Sequence, residues 1–193
     1  SSTIGGGSRN NGSSILATIG GGMYNLVTGD SSTIGGGTRN TITGRSSTIG
    51  GGFSNSILAT DTATISGGAN NTISGISQAS AIGGGDFNSI RNNSLYGTIS
   101  GGRFNVIDNT DSSTIGGGAN NSILDESDAS TISGGADNTI QTTSMLSTIS
   151  GGWKNSVTNT DSASIGGGAK NTIVNESDAS TISGGVDNTI TTN

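Results

Sequence analysis

The chain has 193 residues and a net charge of −6, with 36 glycines, 10 % charged and 3 % aromatic residues, and no Pro, Cys or His. The lack of Cys excludes disulfides and thiolate metal sites, and the lack of His removes the commonest general base and metal ligand. The negative charge disfavours non-specific binding to nucleic acid or anionic membranes, and no apolar run approaches the roughly 20 residues of a membrane helix.

So much Gly and Ser would ordinarily mean disorder. Strict periodicity argues otherwise, and repeats come first. The phrase opens at Ser1 with "SSTIGGG" and still runs at "STISGGVDNTI", ending on Ile190. Aligned on the Ile before the glycines, it recurs at Ile4, Ile19, Ile34, Ile49, Ile65, Ile82, Ile99, Ile115, Ile132, Ile149, Ile165 and Ile182. The spacing is 15 residues at first, then 16 or 17.

With that Ile as position zero, position +2 is always Gly and position −2 is Ser, Ala or Gly. Position +6 is always Asn: Asn10, Asn25, Asn40, Asn55, Asn71, Asn88, Asn105, Asn121, Asn138, Asn155, Asn171 and Asn188. Position +8 is Ile or Val except at Gly12. Two sets with a period of two mean two strands, each turning alternate side chains to one face. One coil therefore reads strand, Gly turn, strand, variable loop.

The expected fold is all-β: a parallel β-roll, or β-solenoid, of about twelve coils of 15–17 residues with two short strands each. Residues 1–193 form one repeat domain, read as a segment of a longer chain or fibre. At about 4.8 Å per coil the rod is roughly 55–60 Å long. Two Ile columns face each other across a thin core, small residues at −2 let the strands approach, and Gly at +2 and +3 supplies angles that a Cβ forbids. The Asn column is expected to form an amide ladder, each side chain donating one way and accepting from the other.

From Ile99 onward the chain repeats in blocks of three coils, and "ESDASTISGG" occurs twice verbatim. Duplication of a three-coil unit explains this, since each coil of a linear array touches only its neighbours.

The stretch "STIGGGTRNTITGRSSTIGGG" (Ser32 to Gly52) resembles the left-handed β-roll repeats of viral and bacterial surface fibres, relatives of trimeric autotransporter adhesin heads. That resemblance implies left-handed coils, self-association into a trimer or filament, and an extracellular, cell-surface or virion-surface place. "NTITG" and "NTISG" are similar to the half-coils of plant ice-binding β-rolls, which implies ice as an alternative partner.

Outside the core, position −1 is Thr in ten coils: Thr3, Thr18, Thr33, Thr48, Thr64, Thr98, Thr114, Thr131, Thr148 and Thr181. Position +1 is only Gly or Ser, so one face carries a flat, uncharged Thr stripe. Three readings stand: β-propensity with cross-strand packing, a packing face for another subunit, or a surface that orders water as ice does. Just after the glycines lie Tyr24, Phe53, Phe87, Phe104 and Trp153, with Arg9, Arg39, Arg103, Lys154 and Lys170. This edge reads as loop-tip packing, or as a contact ridge for a glycan, a cell-surface receptor or a neighbouring rod.

Nine of the thirteen acids lie in the variable loop, where stacked carboxylates such as Asp111 and Asp125 are candidate Ca²⁺ ligands. No other cofactor is expected. Catalysis by paired carboxylates needs a cleft, and a roll offers none. The sequence is therefore read as non-enzymatic: a structural or adhesive module of a surface fibre, or alternatively an ice-binding protein.

Overall fold

The computed structural model describes residues 1–192, which contain strands and turns and no helix. Two parallel sheets of 12 strands each lie face to face. The first holds the strands from Thr3–Ile4 to Thr181–Ile182, the second those from Asn11–Gly12 to Thr189–Thr191. Among the described residues no strand pairs with its predecessor in sequence. Ile115 is in register with Ile99 and Ile132, and Ile123 with Ile107 and Ile140. This is a β-solenoid, with coils numbered here 1 to 12 from Ile4 to Ile182. A third line of parallel bridges at position +4, from Ser8 to Val186, ties the turns together.

The two Ile columns form the core. From Ile19 to Ile173 every position-zero and position +8 side chain is fully buried. Burying each is worth about 1.5–3 kcal/mol, and the sum along the stack offsets the backbone entropy of so much Gly. In coil 1, Gly12 supplies no partner side chain and Ile4 is 45 % exposed.

Coil length sets strand length. The three coils with 15-residue spacing have second strands of two residues, whereas from Ser56–Leu58 onward the second strand has three. The added residues occupy left-handed conformations between that strand and the buried part of the loop. Ala59, Asn109 and Asn159 do so in 16-residue coils; the pairs Asn92–Asn93, Asp125–Glu126, Thr142–Thr143 and Asn175–Glu176 do so in 17-residue coils. An extra residue is thus looped outward without moving the core columns.

The two invariant glycines are constrained differently: at +2 five of the twelve, Gly6, Gly84, Gly117, Gly151 and Gly167, have φ of +147° to +154°, angles that a side chain rarely adopts. At +3 the conformation is left-handed, and at Gly68 (φ +86°) an added Cβ would lie 2.2 Å from the Gly85 carbonyl oxygen of the next coil. At +2 a Cβ on Gly67 would meet open space. The stacked turn demands Gly at the second place; at the first there is room for a Cβ, and in those five coils backbone strain opposes it.

Candidate functional site: faces and edges of the roll

Buried Asn side chains lock the turn. In coil 8 the Asn121 Nδ2 donates to Gly117 O (2.9 Å) in its own coil and to Gly135 O (3.0 Å) in the next, while Oδ1 accepts the backbone N–H of Asn138 (3.1 Å). The same three bonds recur from Asn25 to Asn171, for example at Asn55 and Asn88. The ladder therefore runs mainly from side chain to backbone rather than amide to amide, as expected from sequence. Direct amide contacts occur at a few steps, such as Asn138 Nδ2 to Asn121 Oδ1 (3.1 Å). The reason is the tight Gly turn: the +2 carbonyl has the amide as its donor, and the +3 carbonyl of the next coil accepts the amide beside the backbone N–H of position +4.

Serines do comparable work on the loop side, where sequence reasoning assigned them only small size. Ser130 Oγ at position −2 donates to Ser144 O (2.9 Å) and accepts from Ser147 N–H (3.0 Å). A second column, five residues before each Ile, was missed. Ser94 and Ser144 there accept the N–H of Thr110 (3.3 Å) and Thr160 (3.2 Å) and donate to Arg91 O and Gln141 O (both 2.6 Å). Counting back from the next Ile, that place holds only Ser, Thr or Gly, from Ser14 to Ser177. Counting forward hides it, because the loop varies in length. Among the described residues Thr110 Oγ1 is the one buried side-chain polar atom without a partner.

On the first sheet the Thr stripe faces outward and runs in register, Thr98 beside Thr114, Thr131 and Thr148. Thr3, Thr48, Thr64 and Thr181 are exposed and the other six half-buried, with Ala81 and Ser164 completing the column. Among the described residues these ten hydroxyls make no hydrogen bond to the protein, so each is left to water. The outer surface of the second sheet is mixed, and carries the Arg91–Asp108 ion pair (2.8 Å).

The turn edge gathers the aromatic and basic residues in two neighbouring columns, Phe53 and Trp153 at +4, Tyr24, Phe87 and Phe104 at +5. All five are 40–49 % exposed. Phe87 and Phe104 stack with centroids 5.2 Å apart and planes 13° from parallel. Arg9 lies over Tyr24 (5.2 Å), Arg39 over Phe53 (5.9 Å), and Lys154 and Lys170 over Trp153 (4.5 and 5.6 Å). Asp137 accepts from Asn120 Nδ2 (2.7 Å) and Trp153 Nε1 (3.0 Å). These hydrogen bonds, Asn120 first, with Lys154 nearby, hold its carboxyl below its ordinary value of 3.8.

The loop edge carries the acids, and most are engaged with backbone. Asp111, Asp128 and Asp161 accept the N–H of Leu95 (2.9 Å), Asp111 (2.8 Å) and Met145 (2.9 Å), each one coil earlier. Asp111 stacks with Asp128, whereas Asp125 sits apart in a left-handed bulge. A polar dent of about 170 Å³ lies beside them, lined by Asn93, Asn109, Thr110, Asp111, Glu126 and Asp128. Among the described residues no three acidic side chains are grouped to hold a metal ion.

No protein-family model and no curated protein matches this chain. Its reading therefore rests on its own geometry.

Proposed function

We propose that this chain is a non-enzymatic structural and adhesive module of a surface fibre, working outside the cell or on a virion, whose rods associate with one another. The observation that carries the reading is the closure of the interior. Coils 2 to 11 each bury their own pair of Ile or Val side chains, and their buried amides and hydroxyls bond to the coils above and below. What remains for function is a long, regular exterior with a Thr face, an aromatic and basic edge and an acidic edge. Such a surface suits multivalent contact, with a glycan, a receptor or another rod, because one weak contact is repeated along the axis. Sedimentation from micromolar to millimolar concentration tests it: mass should rise with concentration, and a monomeric rod throughout would refute self-association.

A second reading, ice binding, is favoured by the unpaired in-register Thr hydroxyls. Spaced at about 4.8 Å, they present methyl and hydroxyl groups in a flat row that organises water. Ice recrystallisation separates the two. Inhibition that disappears in Thr98→Lys/Thr114→Lys would place ice binding first, and none in the parent chain would remove it.

A further inference from the structure

The two edges match each other level by level. Four coils expose large apolar residues on the loop edge: Ile15 and Leu16 in coil 2, Ile76 in coil 6, Tyr96 beside the half-buried Leu95 in coil 7, and Met145 with Leu146 in coil 10. Leu16, Tyr96 and Leu146 are 59–64 % exposed and sit in left-handed conformations, where other coils place Ser, Thr or Ala. Nothing in their own rod requires an apolar residue there. The same four coils carry aromatic residues on the turn edge: Tyr24 in coil 2, Phe87 in coil 6, Phe104 in coil 7 and Trp153 in coil 10.

Charges follow the same levels. Coil 3 has Asp30 on the loop edge and Arg39 on the turn edge, coil 11 has Asp161 and Lys170, and coil 4 has Arg45 and Phe53. Two levels oppose the match, Asp128 with Asp137 and Asp178 with Asp187. In the first of these Asp137 is already bonded to Asn120 and Trp153.

We infer that the partner of each edge is the other edge of a second copy, packed side by side, parallel and without axial shift. Apolar side chains then meet aromatic rings at four levels, and opposite charges or a cation and a ring meet at three others. A shift of one coil keeps only one of the four apolar levels, Ile76 with Phe104 or Tyr96 with Phe87: Leu146 comes level with Asp137 or with Lys170, and Leu16 with Arg9 or Arg39. Because the contact joins different edges by pure translation, it does not close, and rods add into a sheet. Exposed ion pairs add little stability individually, so the apolar levels bind and the charges fix register.

This inference deepens the self-association reading and rests on it. The absence of Cys makes the test clean. Chains carrying Gln78→Cys (coil 6, loop edge) and Asp86→Cys (coil 6, turn edge) are mixed and oxidised, beside a mixture of Gln78→Cys with Ala136→Cys (coil 9, turn edge). The same-level pair should crosslink at least ten-fold faster, since a disulfide needs Cα atoms within about 7 Å. Leu16→Lys/Leu146→Lys should weaken association about ten-fold with an unchanged circular dichroism spectrum. Equal crosslinking of both mixtures, or predominant self-crosslinking of Gln78→Cys alone, would overturn the in-register contact while leaving self-association standing. A chain that never associates in sedimentation would remove both.

Discussion

Each coil has a rigid half and a permissive half. From position zero to +8 the turn keeps one length in all twelve coils, whereas the loop that leads back varies by two residues. The difference lies in how the hydrogen bonds are distributed. At the turn one amide makes three bonds at fixed offsets, two of them to Gly carbonyls, so a residue inserted there would break all three. At the loop, separate Ser hydroxyls and Asp carboxylates each hold one or two backbone groups, and extra residues bulge out between them. Regularity is enforced where a single side chain does several tasks. Variation, and with it specificity, is confined to where tasks are shared.

Substitution along the two halves should reveal this asymmetry in denaturant unfolding, beginning with the largest effect. Gly68→Ala forces a Cβ to 2.2 Å from Gly85 O and should cost at least about 3 kcal/mol. Its neighbour Gly67→Ala, facing open space, should stay within about 0.5 kcal/mol. Asn121→Ala leaves the Gly117 carbonyl and the Asn138 N–H without partners in the interior, Gly135 O keeping the Ala119 N–H, and should cost about 3 kcal/mol. On the loop side Ser144→Ala removes a hydroxyl making two bonds and should cost about 1–2 kcal/mol. If Ser144→Ala proved as damaging as Asn121→Ala, the contrast between the halves would be lost.

The bulges give an effect of opposite sign. Thr142 is β-branched and held at φ +58°, so Thr142→Gly should stabilise the chain by about 1 kcal/mol. A loss of stability instead would mean that the bulge is held by contacts of the Thr side chain. The smallest effect is at the turn edge, where Trp153 is the single tryptophan and its fluorescence reports the bond to Asp137. Because the folded carboxyl lies below 3.8, the bond should persist as pH falls through that value and be lost only on further acidification. A midpoint above 3.8 would contradict it.

Much of the fold was legible because its constant residues act through backbone geometry. The period of two at −2, zero and +2 gave the first strand, and the fixed interval from Ile to Asn gave the turn. Less was legible in how the columns are bonded. Serine at −2 looks like a size constraint until its hydroxyl is seen joining two coils, and the column at −5 is concealed by the variable loop. The left-handed residues at +5, among them Arg39, Phe104 and Lys154, carry no Gly to signal them. The edge pattern needed the levels of the coils, since Leu146 and Trp153 become related only once both are assigned to coil 10.

All of these inferences depend on a rod whose coils are interchangeable layers with unbroken internal columns. Deleting residues 116–165, which joins Ile115 to Gly166 and removes three whole coils, tests this most directly in small-angle X-ray scattering. The rod should shorten by about 14 Å, three coils at about 4.8 Å each, with its cross-section unchanged and its β-sheet spectrum retained. An unfolded chain, or a changed cross-section, would contradict it.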